Sequence, residues 1–143
     1  MSKPRVILIF GEPNSGKSWL ASALLSRYDY DIIHVDEVYL EFIKESYPKL
    51  YLESLNIVIS QHYEMILKRT HKGAEKAWAQ HVINVITERL KMSGAIAVEG
   101  YLLTPILKTV RARLSKVAYA STVYVKDRRY FASTTIKAIA SRI

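Results

Sequence analysis

Residues 11–18 read GEPNSGKS, with Gly11 and Gly16 framing a polar loop that Lys17 and Ser18 close. The GxxxxGKS spacing is the pattern of a phosphate-binding loop. Glycines let the backbone curl so that successive N–H groups point inward at phosphate oxygens, and a helix that follows adds its positive end. In such a loop Gly11, Glu12, Pro13, Asn14, Ser15, Gly16, Lys17, Ser18 and Trp19 form the nucleotide cradle. Lys17 would reach the outer phosphates as a catalytic cation, and Ser18 would offer its hydroxyl to Mg2+. The alternative is a chance match or a loop without activity. The apolar run VILIF before the loop and the helix-like KSWLASALLS after it supply the strand and helix that the chemistry requires.

Phosphate binding does not say where the phosphate goes, so the carboxylates near the ends of later apolar segments carry the next step. Asp36, in HVDEVY, could orient and deprotonate an attacking hydroxyl and assist the metal. It could equally be a helix N-cap, a position that favours Asp. Its neighbour Glu37 points to the other side by alternation. Glu99, in IAVEGYLL, can hold Mg2+ through water, with Gly100 turning the chain beside it. Tyr39 and Tyr101 follow the two carboxylates and could stack on a flat substrate ring or belong to the core. His34, His62, His71 and His81 show no metal-ligand spacing, and His81, beside Trp78 and Val82, reads as a core-edge residue. No DxxG or NKxD pattern of a guanine-nucleotide switch is present, nor a Ser/His/Asp or paired-carboxylate hydrolase signature.

The elements that must position these residues follow from periodicity. Arg5 to Phe10 reads as a buried strand, Lys17 to Ser26 as a helix, and Ile32 to Val35 as a short strand. Leu40 to Lys72 holds two helix-like pieces broken around Pro48. Ala74 to Lys91 carries one apolar helical face, and SGAIAVEGY ends that helix and opens a third strand. A helix over Thr104 to Ser115 and a strand over Val117 to Val125 follow. In the remainder, Phe131, Ile136, Ile139 and Ile143 recur at helical spacing. Strands alternating with helices predict an α/β fold, a parallel sheet covered on both faces with its ligand site at the carboxyl ends of the strands.

Length and composition set the outer bounds. The chain has 143 residues, which predicts one domain over 1–143, and half of its residues are hydrophobic. It contains no cysteine, so disulfides and thiolate metal sites are excluded. The N-terminal apolar run is too short for a membrane span, and the expectation is a cytoplasmic protein with no membrane partner. Residues 1–100 carry twelve Lys and Arg against twelve Asp and Glu, whereas residues 101–143 carry nine against Asp127 alone. All of the net charge of +8 is therefore C-terminal. Such a segment can face a nucleotide, face nucleic acid, or simply be solvated.

Taken in order, GEPNSGKSWLA, IIHVDEVY and AIAVEGYLL resemble the uridine kinase and nicotinamide riboside kinase group of P-loop small-molecule kinases. The resemblance runs from Arg5 to about Arg129. It implies the three-layer P-loop NTPase fold, with ATP and Mg2+ as cofactors. It also implies Asp36 as base for the substrate hydroxyl, Glu99 for Mg2+ and substrate, and Tyr39 as the aromatic after the base. Arg128 and Arg129 would begin a mobile lid and act in catalysis. Members of that group continue into a fifth strand, so a four-stranded sheet, a fifth strand from the tail, or one from a partner is expected here. The partners expected are a nucleoside triphosphate and a small hydroxyl-bearing substrate, with nucleic acid and a second copy of the chain as further candidates. The leading expectation is an ATP-dependent kinase of a small, nucleoside-like molecule. A polynucleotide 5′-hydroxyl kinase and a nucleotide-binding regulatory module are the alternatives.

Overall fold

Strand β1 (Arg5–Phe10) has no exposure from Val6 to Ile9, because it is paired on both sides and covered on both faces. Strands in that position read as continuous apolar runs. The computed structural model describes residues 3–12, 15–53, 59–126 and 133–141. Among them β1, β2 (Asp31–His34), β3 (Ala95–Glu99) and β4 (Tyr119–Tyr124) form one sheet in the order β2-β3-β1-β4, all pairs parallel. Strand alternation splits the core in two. Val6 and Leu8 pack with Ile33, Ile96 and Val98 on one face, and Ile7 and Ile9 with Ala97 and Val123 on the other.

The second face is covered by α1 (Lys17–Tyr28), through Leu20, Ala21, Ala23 and Leu24, and by α8 (Ser133–Ala140), through Ile136, Ile139 and Ala140. The Tyr30 hydroxyl and the Arg5 guanidinium both donate to the Ala140 carbonyl, at 2.7 and 3.3 Å, and tie the last turn of α8 to the start of the sheet. The first face is covered by α2 (Val35–Ser46), α6 (Ala74–Leu90) and α7 (Leu107–Leu114), with a 3-10 helix (Tyr101–Ile106) leading into α7. Between α2 and α6 lie α3 (Pro48–Glu53), α4 (Ile59–His62), a π-helical turn (Tyr63–Leu67) and α5 (Lys68–Thr70). Among the described residues no helix is long and apolar enough to cross a membrane.

Two boundaries differ from the sequence reading, and both shape the site. Strand β2 ends at His34, not Val35: His34 is extended (φ −91°, ψ 101°) and caps α2, so strand and helix join with no loop between them. The helical stretch before α7 begins at Tyr101 rather than Thr104, because the first N–H groups after Gly100 find an acceptor in Asp36. Pro48 opens α3, where its missing N–H costs nothing. The described part of the basic segment 101–143 forms the 3-10 helix, α7, β4 and α8, and Phe131 and Ile143 lie outside the described residues.

Candidate active site

The loop between β1 and α1 begins at Gly11, whose φ of +148° favours glycine. A Cβ there would stand 2.3 Å from the Val125 carbonyl oxygen, so no other residue fits. Gly16 caps α1 without any side-chain hydrogen bond, which leaves the first-turn N–H groups of that helix directed at the loop. Lys17, the first residue of α1, is 7% exposed and donates Nζ to the Glu12 carbonyl at 2.5 Å and to Ser15 Oγ at 3.5 Å. Burial lowers its pKa, while the charges of Glu99, Asp36 and Glu12 pull the other way. Trp19 lies on α1, 37% exposed. Pro13 and Asn14 lie outside the described residues.

Glu99 ends β3 and is 6% exposed. Its Oε1 accepts Ser18 Oγ at 3.3 Å and stands 2.5 Å from Nδ1 of His34, its register partner on β2. The sheet therefore brings His34 and Glu99 together at the ends of β2 and β3, and the first turn of α1 adds Ser18. His34 is the residue that sequence reasoning passed over. Metal-ligand spacing was the wrong signal for it; its strand-end position one strand away from Glu99 was the right one.

Asp36 lies in the first turn of α2 rather than at a strand end, where a negative charge suits the helix dipole. It does not cap its own helix. Instead Oδ1 accepts the Leu102 N–H at 3.1 Å and Oδ2 the Tyr101 N–H at 3.4 Å, so it caps the 3-10 helix after β3. Gly100 makes this approach possible, since a Cβ at its φ of +155° would stand 3.0 Å from Asp36 Oδ1 and from Val35 Cβ. Trp78 Nε1 donates to the Leu102 carbonyl at 3.1 Å, which clamps the same residue from its other end.

The two tyrosines separate. Tyr39 is 1% exposed and sits edge-on to Trp78, with ring centroids 5.3 Å apart at 88°. Its hydroxyl is 2.6 Å from Nδ1 of buried His62, and burial raises its pKa. A ring enclosed on all sides is core, the second of the two readings its sequence position left open. Tyr101 is half-buried against the same core. His81 is partly buried, stacked on Trp78 and tilted against Phe42, as a core-edge residue should be. Arg128 and Arg129 lie outside the described residues.

The donor set around the loop is one hydroxyl and two carboxylates, hard oxygens of the kind Mg2+ takes. Among the described residues no three His, Cys, Asp or Glu side chains cluster closely enough to hold a metal ion on their own. A cation held by such a set would complete its shell with phosphate oxygens and water. Lys17, an ammonium largely removed from water, fits a polyanion in the same place.

No protein-family model and no curated protein matches the chain. Among solved structures it is similar to TT1252 from Thermus thermophilus, at 19% identity and a TM-score of 0.52, over 99% of this chain and 79% of that one. Lower similarity is found to a shikimate kinase from Bacteroides thetaiotaomicron (13% identity, TM-score 0.47, 85% of this chain). A shikimate kinase from Acinetobacter baumannii in complex with shikimate is comparable (14%, 0.45, 99%). The chain spans 57% and 64% of the lengths of those two kinases. The chain has the α/β P-loop NTPase fold, with a parallel four-stranded sheet between helical layers among the described residues.

Proposed function

We propose that this chain is an ATP-dependent phosphotransferase that moves the terminal phosphoryl group to a hydroxyl of a small, nucleoside-like molecule. The observation that carries this reading is the convergence of Lys17, Ser18, Asp36 and Glu99 near the carboxyl ends of three adjacent strands, with Lys17 in the fields of both carboxylates.

Mg2+ with ATP supplies the transferable phosphoryl group and the charge neutralisation that loose transfer requires. The first-turn N–H groups of α1 hold phosphate oxygens, and Lys17 exchanges its bond to the Glu12 carbonyl for one to phosphate. Ser18 and Glu99 hold the cation side. Asp36 receives the acceptor's proton: each of its oxygens keeps a second lone pair beyond the main-chain N–H that it already accepts. Tyr101, half-buried beyond Glu99, borders the acceptor. Arg128 and Arg129, outside the described residues, are assigned as catalytic cations on the kinase resemblance alone.

Incubation with γ-labelled ATP and a panel of nucleosides, sugars, vitamins and 5′-hydroxyl oligonucleotides tests the reading. Label on a small hydroxyl compound supports it, and label on no acceptor refutes it. A second acceptor class, a polynucleotide 5′ end, is favoured by one observation: Lys108, Arg111, Arg113 and Lys116 are all exposed on α7 and just beyond it. Label on oligonucleotide alone selects that class.

A further inference from the structure

His34 and Glu99 are paired by the sheet before any ligand arrives. They are register partners on the adjacent parallel strands β2 and β3, each the last residue of its strand. Strand partners project their side chains to the same face, and the pairing fixes both Cα positions. A terminal carboxylate still rotates broadly about its last torsion, so position alone does not orient it. The His34 ring supplies the missing constraint. Nδ1 lies 2.5 Å from Glu99 Oε1, and Ser18 Oγ donates to that same oxygen at 3.3 Å. A carboxylate only accepts, so Nδ1 carries the hydrogen. Among the described residues the hydrogen bonds to this carboxylate both fall on Oε1, which keeps Oε2 for a cation or its water. Glu99 is buried, whereas the His34 side chain is 39% exposed, so the ring braces the carboxylate from the solvent side.

We propose that His34 is a positioning residue that fixes Glu99 in the orientation that binds the divalent cation of the nucleotide complex. The inference rests on the phosphotransferase reading only for the assignment of Glu99 to the cation. Partners that orient a ligand in this way change metal affinity by about 10- to 100-fold when removed.

The test measures Mn2+ affinity by electron paramagnetic resonance on the full chain with a non-hydrolysable ATP analogue. Metal-free nucleotide affinity and thermal unfolding are followed alongside. His34→Ala is expected to weaken Mn2+ by about 10- to 100-fold while leaving metal-free nucleotide affinity and the unfolding temperature near wild type. His34→Asn, whose amide nitrogen can take the place of Nδ1, should recover most of the loss. Glu99→Gln should show a comparable loss, and adding His34→Ala to it should cost little more, since the two residues act as one unit. Unchanged Mn2+ affinity in His34→Ala overturns the proposal, and so does a fully additive loss in the double variant. Failure of Asn to rescue overturns it too. Unchanged Mn2+ affinity in Glu99→Gln removes Glu99 from the cation and the proposal with it. Absence of labelled acceptor in the transfer assay, with the Mn2+ pattern intact, refutes phosphotransfer and leaves the His34–Glu99 assignment standing.

Discussion

The main-chain N–H of Leu102 donates to Oδ1 of Asp36 at 3.1 Å, joining the first turn of α2 to the turn that follows β3. With the Tyr101 N–H on Oδ2 and the Trp78 indole on the Leu102 carbonyl, this contact holds the segment that carries Glu99. Asp36 is therefore an anchor as well as the proposed base, and the two roles are measurable apart.

The anchor role predicts a stability cost. Asp36→Asn keeps one oxygen but turns an NH2 group toward one of the two N–H donors. A donor left without a partner costs about 1–3 kcal/mol, a loss readable by urea unfolding. Unchanged stability would show that the main-chain bonds to Asp36 contribute nothing.

Lys17 carries the opposite balance. Burial lowers its pKa, so holding the ammonium charged in the folded chain is unfavourable despite Glu99, Asp36 and Glu12. Lys17→Met should raise the unfolding temperature of the ligand-free protein, abolish the rise that Mg-nucleotide gives the wild type, and abolish transfer. A less stable variant that still binds nucleotide would contradict this.

Tyr39→Phe separates core from substrate platform. The variant loses the 2.6 Å bond to His62 in a fully buried place, at a cost of about 1–3 kcal/mol. KM for the acceptor should stay at the wild-type value per folded molecule. A several-fold rise in KM with unchanged stability would return Tyr39 to the substrate.

His81 sets a pH dependence. Burial against Phe42 and Trp78 lowers its pKa below 6.5, with Glu45 and Glu41 opposing. Below 6.5 the unfolded chain then binds the proton more readily than the folded chain does. Its contribution is present above about pH 6.5 and is lost as pH falls through the folded-state pKa. Unfolding free energy measured at pH 7.5 and 5.5 should fall less steeply in His81→Gln than in wild type. An identical fall would assign the acid sensitivity elsewhere.

What could be read from sequence was whatever a single segment encodes. The apolar run at β1, the glycine-framed loop, the long apolar face of α6 and the strand ending at Glu99 each carry their signal locally, and each forms where it was expected. What could not be read depends on two segments at once. Val35 is as apolar as a strand residue, so nothing within HVDEVY shows that the chain turns helical there. The 3-10 turn begins at Tyr101 because a carboxylate 65 residues earlier accepts its N–H. Tyr39 has the same composition-level signature whether it faces a ligand or Trp78, and only packing decides. His34 becomes a partner of Glu99 through cross-strand register, a property of the sheet and not of either strand.

If Asp36 takes the proton of the attacking hydroxyl, γ-phosphoryl transfer to the best acceptor separates wild type from Asp36→Asn. Both are compared at equal concentrations of folded protein, so that the stability cost is removed from the comparison. Wild type should label the acceptor, and the variant should bind Mg-nucleotide but transfer about 10²- to 10⁴-fold more slowly, the contribution of general-base catalysis. Wild-type turnover in folded Asp36→Asn, with nucleotide bound and acceptor labelled at the normal rate, would contradict it.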